Sequence, residues 1–289
     1  MNVVIFSVIF PDIEKYLDDY FKSLCAQSYK NFEILIINDG VDNIKEYVAR
    51  YPQLNISLHE SAGSPVRNRE KGISILSEMS EAIVLFSDAD DFFQNNRIAE
   101  VVRLIKQHNC DIVVNDLSIV DSNGNLLQNS YFSTRLCNLS YIELKDIRHF
   151  NFIGLSNSAT YTKCLKDIKL SESLIAVDWF MFTILLLRGY KAIFTSNTNT
   201  FYRQHETNLV GIGSISLSKL EKSIIVKDSH YRELSYQCNN FLKLSKYYYT
   251  LKQRKDDDLF ISKYYDECIK NLPDRPFWWE EAMYKRELL

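Results

Sequence analysis

The 289-residue sequence has few glycines and lacks the glycine-rich phosphate loops of several nucleotide-binding classes. No G-x-G-x-x-G follows a strand-like segment, which disfavours dinucleotide-dependent oxidoreductases, and no G-K-[ST] occurs, which disfavours P-loop phosphotransfer. Residues 7–13 contain no glycine, although a nucleotide-sugar pyrophosphorylase needs a glycine-rich loop with a basic residue near its N-terminus. Any nucleotide must therefore be held in another way.

Paired cysteines and a strong net charge are also absent. The six cysteines are dispersed without a C-x-x-C pair, which disfavours a zinc site and a disulfide-rich secreted scaffold and fits reduced thiols in a cytosol. The formal net charge of −3 gives no overall field that would attract nucleic acid, so no nucleic-acid partner is expected. An anionic ligand must be bound by local groups or by a metal ion.

Long hydrophobic runs are missing as well. The longest, Trp179–Leu187, is far shorter than the roughly 20 residues that span a bilayer. The N-terminus enters an apolar segment without the basic region of a signal peptide. These absences predict a cytoplasmic protein that at most touches the inner face of the membrane.

The first 115 residues alternate between apolar, β-branched segments and segments with helical periodicity. Such alternation predicts an α/β fold with a mostly parallel central sheet flanked by helices. The predicted strands are Val3–Phe10, Ile34–Ile37, Leu54–Leu58, Ala82–Phe86 and Ile112–Val114.

The regular alternation of strand-like and helical segments ends after residue 115. Asn123-Gly124 is typical of a hairpin turn, and an apolar helix is predicted from about Asp178 to Arg188. Two further strands are predicted at Ala192–Thr195 and Thr200–Arg203. We predict a catalytic domain over residues 1–215 and a helical C-terminal extension over residues 216–289. The extension, rich in Tyr and Trp, could pack on the catalytic domain, form a homodimer or contact a membrane.

Acidic residues follow the first four predicted strands: Asp12, Asp39, Glu60 and Asp88-Ala89-Asp90-Asp91. Ligands of open parallel sheets bind at the carboxyl ends of the strands. Carboxylates there suit a divalent cation, because Mg²⁺ and Mn²⁺ bind carboxylate oxygens together with ligand phosphates. The pattern predicts a site for a metal ion and a diphosphate.

The order of several motifs resembles family 2 glycosyltransferases of the GT-A fold. Each motif alone is weak, but their order, spacing and position at strand ends make a strong signal over roughly the first 210 residues. The matching segments are Ser23–Glu33 (SLCAQSYKNFE), Asn38-Asp39-Gly40, Arg67-Asn68, Asp88–Asp91, Val177-Asp178-Trp179 and Tyr202–His205.

The resemblance implies a role for individual residues in binding a nucleoside-diphosphate sugar. It implies donor contacts from Pro11, Asp39, Arg67, Asp88 and Arg203, with Asp39 at the base and Asp88 near the ribose. It also implies that Asp90 and His205 bind Mn²⁺ or Mg²⁺. The residues themselves leave alternatives open: Asp39 as a turn residue, and Asp88 and Asp90 as helix caps. Gly211-Ile212-Gly213 is expected to be a flexible loop that closes over the donor.

The family's catalytic base matches Asp178, at the start of the apolar helix. An inverting transferase needs a carboxylate that takes the proton of the acceptor hydroxyl. The alternative is that Asp178 caps this helix, and Glu172 is the reserve candidate for the base.

The resemblance thus implies transfer of a sugar, with a UDP-sugar expected as donor, to a hydroxyl of a surface polysaccharide or lipid-linked glycan. Asp12-Ile13-Glu14 departs from the family pattern after Pro11, so the sequence leaves the donor open. A catalytically inactive sugar-nucleotide-binding or scaffold protein is the alternative. The presence together of Asp39, Asp88, Asp90, Asp178 and His205 argues against it.

Overall fold

A computed structural model of the protein describes residues 2–205, 216–270 and 272–281. The predicted loop at Gly211–Gly213 lies outside these residues. The strands are β1 Asn2–Ile9, β2 Glu33–Asn38, β3 Ile56–Glu60, β4 Ala82–Phe86, β5 Phe92–Phe93, β6 Ile112–Val120, β7 Leu126–Gln128, β8 Tyr141–Ile142, β9 Ser158–Tyr161 and β10 Ala192–Arg203. The helices are α1 Leu17–Cys25, α2 Ile44–Ala49, α3 Pro65–Glu78, α4 Arg97–His108, α5 Val177–Leu187, α6 Leu217–Gln237, α7 Leu242–Gln253 and α8 Asp258–Lys270.

One half of the central sheet is parallel. Its strands lie in the order β3-β2-β1-β4, and each neighbouring pair is parallel. Residues Val3 to Phe6 of β1 are buried on both faces of the sheet, which explains their continuous apolar, β-branched sequence. The predicted α/β fold is confirmed, and all carboxyl ends of these four strands meet at one edge.

The other half of the sheet is mixed. Strand β9 lies between β4 and β6 and is antiparallel to both, while β10 is parallel to β6. The two strands predicted after residue 190 are one strand, β10, whose register with β6 shifts between Thr195 and Asn199. The Ser-Asn-Thr sequence between the two apolar segments thus marks an irregularity within a strand.

The helices form a layer on each face of the sheet. One face packs against α1 and α4, through residues such as Tyr20 and Ile105. The other face packs against α3 and α5 and continues into α6, α7 and α8. Trp179 of α5 stacks on His230 of α6 with ring centroids 3.9 Å apart. The helices after residue 216 therefore share a hydrophobic core with the strands and helices before it.

Residues 276–281, which we call the C-terminal strap, return from α8 to residues of the first half of the chain, Arg135 and Asn151 among them. The N–H of Asn151 donates to the carbonyl of Trp278 at 2.9 Å, an isolated antiparallel bridge. Glu280 forms an ion pair with Arg135, and Glu281 forms one with Lys227 of α6. The strap is thereby fixed to both parts of the chain.

Across the described ranges, no helix combines the length and apolar composition that crossing a bilayer requires. The apolar run that begins at Trp179 is α5, most of which is buried between the sheet and α6.

Candidate active site

A cleft of about 660 Å³ opens at the carboxyl edge of the parallel strands. It brings together five of the residues singled out in the sequence: Asp39, Asp88, Asp90, Asp178 and His205. Glu172, the reserve base, also lines it. Pro11, Arg67 and Arg203 are not among its lining residues.

Asp39 follows directly after β2, beside the end of β1. Its N–H donates to the carbonyl of Ile9 at 2.7 Å, and its Oδ1 accepts a hydrogen bond from Ser61 Oγ at 2.6 Å. Asn68 Oδ1 accepts from the N–H of Ala62 at 2.6 Å, so the buried asparagine of the Arg-Asn pair holds the loop after β3. This end of the cleft is a fixed polar surface.

Asp88, Asp90 and Asp91 follow β4 in a tight turn. Burial and the nearby charge of Asp90 raise the pKa of Asp88 to about 7. The next helix, α4, begins at Arg97 after the N-cap residue Asn96. The aspartates therefore do not cap the next helix, and the mutual repulsion and burial of their carboxyls raise the pKa values of Asp88 and Asp91.

His205 lies in direct contact with Asp90 in the cleft. Its Nε2 lies 2.9 Å from Asp90 Oδ2, and its ring lies 5.3 Å from the ring of Tyr16. In the part of the chain that the structure describes, no group of three or more His, Cys, Asp or Glu side chains has the arrangement of a complete metal site. The pair nevertheless fits Mn²⁺ or Mg²⁺, because such ions are often bound by one or two protein groups plus substrate phosphates.

Arg203 is buried beneath this cluster, with a side chain that is 1% exposed. Its Nε donates to the carbonyl of Asp90 at 2.8 Å, and its Nη2 donates to Asp19 Oδ2 at 2.7 Å. Its own N–H donates to Asp91 Oδ1 at 2.8 Å. The structure thus places Arg203 as a support for the aspartate turn.

Arg67 is not among the lining residues, but it is paired with Glu172, which lines the cleft, and with Glu70. Arg69, two residues further along α3, lines the cleft and lowers the pKa values of both Asp88 and Asp178 through its charge. Glu172, exposed and paired with Arg67, also accepts a hydrogen bond from Ser64 Oγ at 2.9 Å. Sequence reasoning missed Arg69, because the Arg-Asn motif drew attention to its neighbour.

Asp178 lies in the first turn of α5. The N-cap position is Ala176, so Asp178 is the second residue of the helix and not its N-cap residue, although its carboxylate accepts hydrogen bonds from the backbone of this first turn. Burial raises the pKa of its carboxyl to about 6, against the lowering effect of hydrogen bonds from the backbone and from Asn151. The Asn151 amide Nδ2 donates to Asp178 Oδ2 at 3.2 Å. The result is a partly buried, oriented carboxylate at the cleft surface.

The wall beside Asp178 is apolar and includes Leu155, Leu174, Trp278 and Trp279. The two tryptophans come from the C-terminal strap. Their aromatic cluster, Pro276–Trp279, is visible in the sequence, but nothing in the sequence indicates that it reaches this cleft. Sequence reasoning also missed Asn151, because nothing in the sequence indicates that this residue contacts Asp178.

Comparisons with known proteins show what this chain is similar to. The glycosyltransferase GlyA of Streptococcus pneumoniae is 25% identical over 220 residues, which cover 70% of this chain and 31% of GlyA. This chain thus spans less than a third of that relative's length.

Two solved structures share the fold. The Staphylococcus aureus TarS fragment 1–349 in complex with UDP-GlcNAc has a TM-score of 0.60 at 19% identity, over 82% of this chain and 73% of that one. The Pyrobaculum calidifontis mannosyltransferase PcManGT, in complex with GDP-Man and Mn²⁺, has a TM-score of 0.57 at 13% identity, over 80% and 63% of the two chains. They confirm the GT-A fold.

Residues 5–163, more than half of the chain, match the family described as Glycosyl transferase family 2. The resemblance read from Asn38-Asp39-Gly40 and Asp88–Asp91 is therefore confirmed, and this protein belongs to glycosyl transferase family 2.

Proposed function

We propose that this protein transfers a sugar from a UDP-sugar to a glycan hydroxyl, with inversion at the anomeric carbon. The observation that carries the proposal is that Asp39, Asp88, Asp90, Asp178 and His205 line one cleft. The four carboxylates come from three separated stretches of chain. They are united only at the carboxyl edge of the sheet, where ligands of such sheets bind.

The donor occupies the end of the cleft formed by the parallel strands. Asp39 accepts a hydrogen bond from the base, and Asp88 lies at the ribose. Arg69 provides the positive charge for the diphosphate, a role for which Arg67 and Arg203 are poorly placed. The solved TarS complexes with UDP and UDP-GlcNAc support a uridine nucleotide.

Asp90 and His205 would hold a divalent cation, as the Mn²⁺ in the PcManGT complex suggests by analogy. When bound, this cation supplies positive charge to the departing diphosphate. Arg203 keeps the carbonyl of Asp90 in place and so fixes the direction of its side chain.

Asp178 is the base. Its pKa of about 6 leaves it ionised at neutral pH, and it is a stronger proton acceptor than an ordinary aspartate. The hydrogen bond from the Asn151 amide to Oδ2 helps to orient this carboxylate. The acceptor class, a surface polysaccharide or lipid-linked glycan, rests on the family resemblance.

The test is thermal unfolding in the presence of UDP, UDP-sugars, GDP-mannose and dTDP-rhamnose, each with and without Mn²⁺. We expect UDP-containing ligands to raise the melting temperature only with Mn²⁺. In Asp90→Asn, this stabilisation by ligand and Mn²⁺ should be lost. Equal stabilisation by all nucleotides without metal would contradict the proposal. Slow donor hydrolysis in the same samples would distinguish an enzyme from an inactive binding protein.

A further inference from the structure

The C-terminal strap is held at its C-terminal end by two consecutive buried carboxylates, Glu280 and Glu281. The Glu280 carboxylate accepts a hydrogen bond from Arg135 Nη2 at 2.9 Å and from the N–H of Phe277 at 2.8 Å. Lys227 Nζ lies 3.0 Å from Glu281 Oε1, and both side chains are almost fully buried. Tyr264 of α8 donates to the other Glu281 oxygen at 2.9 Å. A segment fixed in this way has a defined position over the cleft.

Trp278 and Trp279 precede these anchors and face the cleft. Trp278 packs so closely on Gly154 that a Cβ at that position would lie 2.8 Å from the indole ring. Trp279 has a φ of 63°, a left-handed conformation that is unfavourable for a bulky residue. Such strained residues persist where the surrounding structure determines them, and they cluster at functional sites.

The tryptophans lie at the base end of the cleft. Asn151 connects them to Asp178: its N–H bonds to the Trp278 carbonyl, and its side-chain amide bonds to the Asp178 carboxylate. The nucleotide groups Asp39 and Asp88 lie instead at the ends of β2 and β4. Trp278 is 7% exposed and Trp279 is 9% exposed, so only the parts of the indoles that line the cleft border the space that an attacking hydroxyl must occupy.

We propose that the C-terminal strap forms an acceptor subsite in which a pyranose ring lies against Trp278 and Trp279. A sugar ring presents C–H groups on one face and hydroxyls at its rim, which matches an aromatic wall next to a carboxylate. An alkyl chain would gain from the indoles but not from Asp178. This inference rests on the proposed function, since it assigns the acceptor side of the same cleft.

Tryptophan emission provides a direct test, because the sequence has three tryptophans and the third, Trp179, is fully buried against His230. Wild type, Trp279→Phe and Trp279→Ala are titrated with methyl glycosides of the common hexoses and N-acetylhexosamines, with UDP and Mn²⁺ present. Tyr236→Ala, which removes an exposed aromatic of α6, is the control. Octyl glycosides are titrated in parallel.

We expect at least one methyl glycoside to change the emission of wild type, with affinity about tenfold weaker in Trp279→Ala. Trp279→Phe retains most of the affinity, and Tyr236→Ala equals wild type. The proposal is overturned if no methyl glycoside changes the emission, if only octyl glycosides do, or if Trp279→Ala binds as wild type does.

Thermal stabilisation by UDP with Mn²⁺ is measured on the same samples. If it is present while glycosides do not bind, the acceptor subsite fails and the proposed function stands. If it is absent from wild type, the proposed function fails, whatever the glycosides do. Retained stabilisation in Trp279→Ala also shows that this variant has a folded cleft.

Discussion

The two ends of the cleft are built in different ways. The end proposed to bind the nucleotide consists of residues that follow strands of the parallel half, Asp39 after β2 and Asp88 and Asp90 after β4. The base end combines Asn151, Asp178 and the strap tryptophans, which are brought together from distant parts of the chain. One end is set by local strand geometry and the other by long-range packing.

This difference indicates which changes should separate donor binding from transfer. Substitutions at the nucleotide end should weaken donor binding, and those at the base end should impair transfer while nucleotides still bind. Substitutions of the charged residues that anchor the strap should lower the free energy of unfolding and thereby disturb the base end. Four predictions examine this division, from the largest effect to the smallest.

Asp178→Asn is expected to lower the rate of transfer by about 10²–10⁴-fold, because the amide cannot take the acceptor proton. Stabilisation by UDP with Mn²⁺ should remain as in wild type. Steady-state rates and thermal unfolding measure the two effects. Near-normal turnover would place the base elsewhere, and Glu172→Gln would then be the variant to compare.

Lys227→Met is expected to reduce the free energy of unfolding by about 3–5 kcal/mol, because it leaves Glu281 buried without its cationic partner. The double variant Lys227→Met/Glu281→Gln should recover much of this loss, since no unpaired charge remains. Urea denaturation measures both variants. A loss below about 1 kcal/mol, the range of an exposed ion pair, would show that the strap is not anchored by this pair.

Arg69→Ala should raise the KM for the donor by about tenfold, since a hydrogen bond to a charged group contributes about 1.5–3 kcal/mol. Arg67→Ala is the matched control on the same helix, and it removes only exposed ion pairs with Glu70 and Glu172. Its KM should stay close to that of wild type. If Arg67→Ala raises the KM more than Arg69→Ala does, then Arg67 is the residue that contacts the nucleotide, as the sequence motif implies.

Transfer should fall as the pH drops below about 6, because the raised pKa of Asp178 is the pH below which the base becomes protonated. Asn151→Ala removes a hydrogen bond that lowers this pKa, so the acid limb should move to higher pH, by less than about one unit. The pH profile of kcat/KM measures the shift. Asn138→Ala, at an exposed amide, is the control, and an unchanged limb in Asn151→Ala would contradict the assigned contact.

Most of the parallel half could be predicted from the sequence. Each of its strands is a short apolar run that ends at a polar turn, so the positions of Asp39, Asp88 and Asp90 follow from local pattern alone. Strand β9 escaped prediction because Ser158–Tyr161 is short and mostly polar, although it is buried between β4 and β6. Its place in the sheet depends on partners far along the chain.

Arg69, the cationic residue of the cleft, shows a second limit of prediction from sequence. Arg67 and Arg69 differ by about 200° around a helix, and Arg69 is the one that lines the cleft directly. The family motif indicates the helix but not its rotation, which is set by the packing of Val66, Ile73 and Leu76 on the sheet.

The position of the C-terminal strap is the feature that could least be predicted from the sequence. Pro276–Trp279 is aromatic in sequence, and composition alone leaves packing, dimer formation and membrane contact open for this region. Its position depends on Arg135, Asn151 and Lys227, which are scattered over the chain and have no shared pattern. Neither periodicity nor a motif carries that information.

The strap also has a consequence for the growing polypeptide. Synthesis begins at the N-terminus, so every group proposed to hold the nucleotide and the cation exists once His205 has been added. The tryptophan wall is added only with residues 276–281, after three further helices. Until then, the nascent cleft lacks one side, and completion of that side coincides with the burial of Lys227 and Glu281 against each other.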